Sequence, residues 1–196
     1  MTKCIGFFDG ACEPVNPCGI ATYGCLIYRD GGLVFSKSGI AATPFSERST
    51  NNVGEYTGLV VLLENGLHLG ISDIEIFGDS QLAVRQVSGL YSVNSKHILP
   101  LYGAVMDLLK QYRNVKLEWV PRERNSMADE LSHEAYEAYL DENQEARNRI
   151  QGLFATEKQK AFMNSLGIKF DRYIGKREAS RLISRHLNSE RSRGIG

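Results

Sequence analysis

The sequence lacks any long apolar run. Nothing in its 196 residues approaches the roughly 20 consecutive apolar positions that a membrane-spanning helix needs. The first residues also lack the basic-then-apolar pattern of a secretory signal, so a cytoplasmic protein is expected. No histidine occurs before His68, and no two of Cys4, Cys12, Cys18 and Cys25 show C-x-x-C spacing, which argues against a zinc site. Cys4 and Cys25 fall in apolar runs and are expected to be buried. Cys12 and Cys18 flank one loop and could pair under oxidation. Net charge is missing too, but the zero hides an asymmetry. Residues 1–150 hold 13 Lys and Arg against 19 Asp and Glu, and residues 151–196 hold 10 against 4. A basic tail on an acidic body suggests a polyanion partner or a tail folded back on its own body.

What is present reads as one mixed domain with a small appendage. Residues 3–9, Ile20–Tyr28 and Leu33–Ala41 are expected strands, the last two joined by the hairpin signal Arg29-Asp30-Gly31-Gly32. A helix starts near Thr50–Asn52, with Asn52 and Glu55 resembling a capping pair, and Gly70 ends it. Gly54 inside that helix implies close packing against a strand or a substrate. Asp73–Asp79 reads as a fourth strand, and Ser80 caps a short helix to about Val87. Lys96–Tyr112 reads as a further helix burying Leu99, Tyr102, Val105, Met106 and Leu109, and Val115–Val120 as a fifth strand. Asn125 or Ser126 caps a helix through about Leu140 that buries Ala128, Leu131 and Ala135. Phe7, Tyr102 and Trp119 are expected in the core. The order βββαβααβα predicts an α/β (mixed α+β) fold, a five-stranded mixed sheet flanked by helices, in a domain spanning 1–141. Residues 142–152 read as a linker or helix extension. The small helical C-terminal appendage spans 153–196, with a Thr156–Gln159 capping box, a stop at Gly167, a helix over Lys176–Asn188 and a frayed end at Arg191–Gly196.

Four acids carry the functional signal. Asp9 is followed by Gly10 at the end of the first strand, and is either the start of an ordinary turn or a metal ligand. Asp79 ends the fourth strand, and Glu55 and Asp129 lie in first turns of helices, so the four could share a pocket. Carboxylates that close cannot all be ionised at neutral pH without cations between them. Two divalent ions roughly 3.5–4 Å apart would satisfy them and suit phosphodiester chemistry.

Phe7-Phe8-Asp9-Gly10, Thr50-Asn51-Asn52-Val53-Gly54-Glu55-Tyr56, Gly78-Asp79-Ser80-Gln81-Leu82 and Asn125-Ser126-Met127-Ala128-Asp129-Glu130-Leu131 resemble, in order, the four catalytic blocks of type 1 ribonuclease H. The likeness spans about residues 3–140. It leans toward compact archaeal-type members through Ile98-Leu99-Pro100-Leu101-Tyr102 and Trp119-Val120-Pro121-Arg122-Glu123. The resemblance implies an endonuclease that cuts the RNA strand of RNA–DNA hybrids, leaving 5′-phosphate and 3′-hydroxyl ends. It implies two Mg²⁺ ions, replaceable by Mn²⁺, on Asp9, Glu55, Asp79 and Asp129. Gly10, Ala11, Cys12, Asn16, Asn51, Asn52 and Gln81 match contacts to the RNA strand, and Thr50 matches a DNA-phosphate position. Expected partners are the hybrid and, second, double-stranded RNA, with no membrane and a monomeric chain.

The chain departs from larger bacterial members of that family in three respects. Ser88–Ser95 replaces a basic protrusion and carries no Lys or Arg. Pro121–Ser126 offers Arg122 and Arg124 where those members place a loop histidine. Asn16-Pro17-Cys18-Gly19 replaces their Asn-Pro-Gly. His133 is either an exposed helix residue or a stand-in for that histidine. In the tail, Arg177, Arg181 and Arg185 form a stripe that is either solvated or grips hybrid phosphates. Two other classes fit less well. A non-catalytic hybrid-binding module conflicts with four acids that would repel phosphate, and an actin-like phosphotransferase needs a second domain.

Overall fold

The computed structural model describes residues 3–193. Five strands, β1 (Cys4–Glu13), β2 (Ile20–Arg29), β3 (Gly32–Ile40), β4 (Asp73–Gly78) and β5 (Asn114–Trp119), form one mixed sheet in the order β3-β2-β1-β4-β5. β1–β2 and β2–β3 are antiparallel, and β1–β4 and β4–β5 are parallel. The β2–β3 hairpin turns through Asp30 and Gly31, both at positive φ. Helices α1 (Asn51–His68), α2 (Gln81–Val87), α3 (Leu99–Leu109) and α4 (Ser126–Glu142) follow in chain order. α1 sends Val53, Tyr56, Leu59, Leu62 and Leu63 into a core shared with Phe8, Ile27, Ile74 and Ile76.

One close approach fixes how α1 lies on the sheet. A Cβ on Gly10 would fall 2.0 Å from the Glu55 backbone nitrogen, and one on Gly54 would fall 2.4 Å from the Thr22 carbonyl oxygen. Gly10 and Gly54 therefore let helix and strand meet backbone to backbone. What Gly54 packs against is the sheet.

Several local expectations change. β1 does not stop at Asp9 but runs to Glu13, because β2 continues to pair with it. Thr50, not the Asn52–Glu55 pair, caps α1: its hydroxyl accepts from the Val53 N–H at 3.2 Å, and Asn52 and Glu55 already lie inside the helix. α3 is shorter than 96–112. It begins beside Pro100, whose missing N–H suits a first turn, and this leaves Leu99 49% exposed. Trp119 is not core but 45% exposed, since it ends the edge strand. Phe7 and Tyr102 are half-buried. Ser80 does cap α2, accepting from the Ala83 N–H. All four cysteines are thiols, Cys18 alone being exposed.

The chain divides into two compact units, Met1–Tyr136 and Glu137–Gly196. In the second unit, the stretch 142–152, expected as a linker or helix extension, is largely helical, α4 ending at Glu142 and α5 spanning Gln144–Ile150. α6 (Glu157–Ser165) opens on the Thr156–Gln159 capping box, and Gly167 takes positive φ just beyond its end. Ala155, Met163, Ile174 and Ala179 form a small core, with Leu182 and Ile183 of α7 (Lys176–Arg193) against it. The stretch read as frayed is helical as far as Arg193, and its last three residues lie outside the described residues. Among the described residues, no helix is long and apolar enough to cross a membrane.

Candidate active site

The site forms where the parallel half of the sheet ends. β1 and β4 pair only as far as Phe8 and Gly78, so the next residues, Asp9 and Asp79, stand side by side past the last paired rung. Such a crevice beyond the carboxyl ends of parallel strands is where open α/β sheets bind ligands. α1 brings Glu55 to the same point through the Gly10–Gly54 approach. Ligand oxygens of Asp9, Glu55 and Asp79 all lie within 4.8 Å of one another. Asp9 and Glu55 are buried, and Asp79 is half-buried.

Three acids so close carry an electrostatic cost. Burial, then the charges of Asp79 and Asp129, raise the Asp9 carboxyl to about 8. Burial, then Asp9 and Asp79, push Glu55 well above the usual carboxylate range. Glu55 Oε2 is buried without a hydrogen-bond partner. An orphaned buried oxygen within an oxygen-only ligand set fits a hard divalent cation, which would neutralise the repulsion and supply the missing partner.

Asp129 lines the same cavity, of about 340 Å³, but stands outside the trio. Arg122 Nη2 donates to its Oδ1 at 2.5 Å, and His133 Nε2 lies 3.5 Å from the same oxygen. Burial would raise Asp129, but His133 and Arg122 outweigh it and hold the group below its ordinary value. His133 is thus no exposed helix residue: it lines the cavity.

Of the expected substrate contacts, Gly10, Ala11, Asn51 and Gln81 line the cavity. Asn16 and Asn52 are exposed and do not line it, although the Asn16 side-chain oxygen accepts from the Asn51 N–H. Thr50 is occupied as the α1 cap. Cys12 is buried, its thiol donating to the carbonyls of Val15 or Ser49. Arg177, Arg181 and Arg185 belong to the second unit and are exposed on α7, with Arg181 paired to Glu178 at 2.7 Å.

Three supporting residues escaped the sequence reading. Asn125, one of the two expected caps, precedes α4 with its backbone carbonyl accepting from the Asp129 N–H at 3.1 Å, and its side-chain amide donates to the Phe8 carbonyl and to Asp79 Oδ1, both at 2.9 Å. The Trp119 indole donates to the Asp79 carbonyl at 3.0 Å. Ser132, fully buried, donates to Asp9 Oδ2 at 2.8 Å. Only Ser132 carried a signal, standing one helical turn after Asp129 on the same face.

A family model described as reverse transcriptase-like matches residues 7–135. A bifunctional protein of Mycobacterium tuberculosis is 39% identical over 124 residues, covering 63% of this chain; the chain spans about a third of that relative's length. Ribonuclease HI of Halobacterium salinarum is 34% identical over 129 residues, covering 66% of this chain and 62% of that one. Among solved structures, LC11-RNase H1 in complex with an RNA/DNA hybrid superposes with a TM-score of 0.62 at 30% identity, covering 70% of this chain and 99% of that one.

Proposed function

The chain belongs to the type 1 ribonuclease H family, and on that premise we propose that it is an endonuclease hydrolysing the RNA strand of RNA–DNA hybrids to 5′-phosphate and 3′-hydroxyl ends. The observation that carries this reading is the Asp9–Glu55–Asp79 cluster with its unpartnered Glu55 oxygen. Asp9, Glu55 and Asp79 would hold one Mg²⁺, or Mn²⁺, and Asp129 would complete a second site. Two such ions, when bound, supply an activated water and offset charge on the leaving 3′-oxygen. Burial and the neighbouring acids keep a proton on Asp9 near neutral pH and shift Glu55 in the same direction, so a cation that takes these oxygens displaces protons and loading is proton-coupled.

Asn125 and Trp119 hold Asp79 from its carboxylate and its carbonyl, which fixes one ligand before any cation arrives. Gly10, Ala11, Asn51 and Gln81 present backbone and amide groups around the acids, chemistry suited to sugar hydroxyls of an RNA strand. The Cys12 backbone and the Asn16 and Asn52 side chains extend that RNA-facing surface, and Thr50 meets a DNA-strand phosphate. Arg177, Arg181 and Arg185 supply phosphate contacts that the Ser88–Ser95 connection lacks. The protein acts as a cytoplasmic monomer, a setting that suits four unpaired thiols.

The test is cleavage of end-labelled RNA–DNA hybrid, duplex RNA and duplex DNA with Mg²⁺ or Mn²⁺. Hybrid should be cut internally in its RNA strand only, and Asp79→Asn should abolish the reaction. Cleavage of DNA, or hybrid cleavage that survives Asp79→Asn, would overturn the reading. Duplex RNA is the second substrate the assay decides.

A further inference from the structure

Ser132 is a polar residue on the buried side of α4, with no accessible surface. A serine inside a helix ordinarily spends its hydroxyl on a carbonyl of the preceding turn. That contact exists here, at 2.8 Å to the Asp129 carbonyl oxygen. The same hydroxyl also lies 2.8 Å from Asp9 Oδ2, on a strand 123 residues away. One hydroxyl carries one proton and cannot donate to both acceptors at once. Once Asp9 is ionised, as a bound cation requires, the hydroxyl donates to that carboxylate rather than to the neutral carbonyl, because a hydrogen bond to a charged acceptor is the stronger.

The neighbourhood holds this arrangement rigidly. A Cβ on Gly24 would fall 2.7 Å from the Ser132 backbone nitrogen, so α4 lies directly on β2 at this point. Gly24 is the cross-strand partner of Asp9. Ser132 and Asp9 are therefore held by backbone packing on both sides of their hydrogen bond. The terminal torsion of an aspartate is broad, so the plane of its carboxylate is set by its partners rather than by its rotamer.

We propose that Ser132 is a positioning residue for divalent-cation binding, holding the Asp9 carboxylate in the plane that the cluster with Glu55 and Asp79 requires. This rests on the metal-dependent reading of the site. It adds a specific donor from α4, the helix that also carries Asp129, so that the first turns of that helix both furnish one acid and orient another.

The test is calorimetric titration of Mn²⁺ into the full chain without nucleic acid, for the parent, Ser132→Ala, Ser132→Cys and Ser132→Thr. Alanine removes the hydroxyl and leaves a small void. Cysteine fills the space with a weak donor, and threonine restores the hydroxyl. Ser132→Ala and Ser132→Cys should bind Mn²⁺ roughly tenfold more weakly, the scale of one hydrogen bond to a charged group, with Ser132→Thr closer to the parent. Melting of the Ser132→Cys variant should stay near that of the parent. If Ser132→Ala does not fold, the cysteine and threonine variants carry the comparison. Parent-like affinity in Ser132→Cys would overturn the proposal, since packing alone would then account for the residue. A parent that binds Mn²⁺ but leaves hybrid uncut would end the hybrid reading, while weaker Mn²⁺ binding by Ser132→Cys would still support the role of Ser132.

Discussion

Asp9 and Gly24 face one another across β1 and β2, and the side chain that Gly24 lacks is the space taken by the first turns of α4. A Cβ there would lie 2.3 Å from the Ala128 carbonyl oxygen and 2.7 Å from Leu131 Cβ. Those atoms are helix backbone or rooted in it, so they cannot move aside alone. Gly24→Ala should destabilise the protein by about 1–3 kcal/mol through overpacking. It should also weaken Mn²⁺ binding, because Asp129 and Ser132 travel with the helix. Thermal melting and Mn²⁺ titration check both, and a variant matching the parent in each would show that α4 is not seated by this glycine.

Asp9→Asn should abolish hybrid cleavage and change the pH dependence of stability without metal. The Asp9 carboxyl is raised from 3.8 to about 8 by burial and by its acidic neighbours. Between those values the folded protein keeps a proton that the unfolded chain gives up. Stability therefore falls as pH rises through that window, and the full penalty stands above about 8. Melting of metal-free parent should drop from pH 5 to pH 8. The drop should be shallower in Asp9→Asn, and not flat, because Glu55 is raised in the same direction. Parallel melting curves for parent and variant would mean that Asp9 is not strained in the folded state.

Asp79 and Asp129 were legible because one directly follows a strand's last residue and the other sits in a helix's first turn, where short-range pattern is informative, whereas Asp9 and Glu55, inside β1 and α1, were legible through the motifs around them. The end of β1 was not. Its apolar run stops at Phe8, and only the pairing with β2 carries the strand on through small residues to Glu13. Likewise Trp119 looks like core by hydropathy, but exposure depends on β5 being an edge strand, a property of sheet order. Asn52 and Glu55 match a capping pair in spacing, yet Thr50 takes the cap and leaves Glu55 to the cavity. The contacts of Ser132 with Asp9 and of Asn125 with Phe8 join residues more than a hundred positions apart. Local pattern cannot reach that far.

Arg122 should compete with metal for Asp129. Its guanidinium donates to Asp129 Oδ1 at 2.5 Å, and it places a fixed positive charge in a cavity that otherwise attracts cations. The Arg122 side chain is about half exposed, so solvent screening limits the effect. Arg122→Gln should tighten Mn²⁺ binding by about threefold to tenfold, a difference on the order of 1 kcal/mol. Unchanged affinity would show that Asp129 is equally available with its partner in place.

Arg177, Arg181 and Arg185 are exposed along α7, in a segment carrying 10 basic residues against 4 acidic. If they contact phosphates, removing their charge should act through counterion release rather than through folding. Gln keeps helix propensity close to that of Arg, so replacing all three should leave the second unit folded. The comparison is best made in an Asp79→Asn background, in which hybrid should bind without being cut. There the slope of log affinity against log salt should become shallower by up to about 0.9 for each phosphate that the variant no longer neutralises. Affinity should fall most at low salt, where a charge-driven interaction is strongest. A slope identical to that of the Asp79→Asn parent would assign the basic stripe to solvent and leave hybrid binding to the first unit alone.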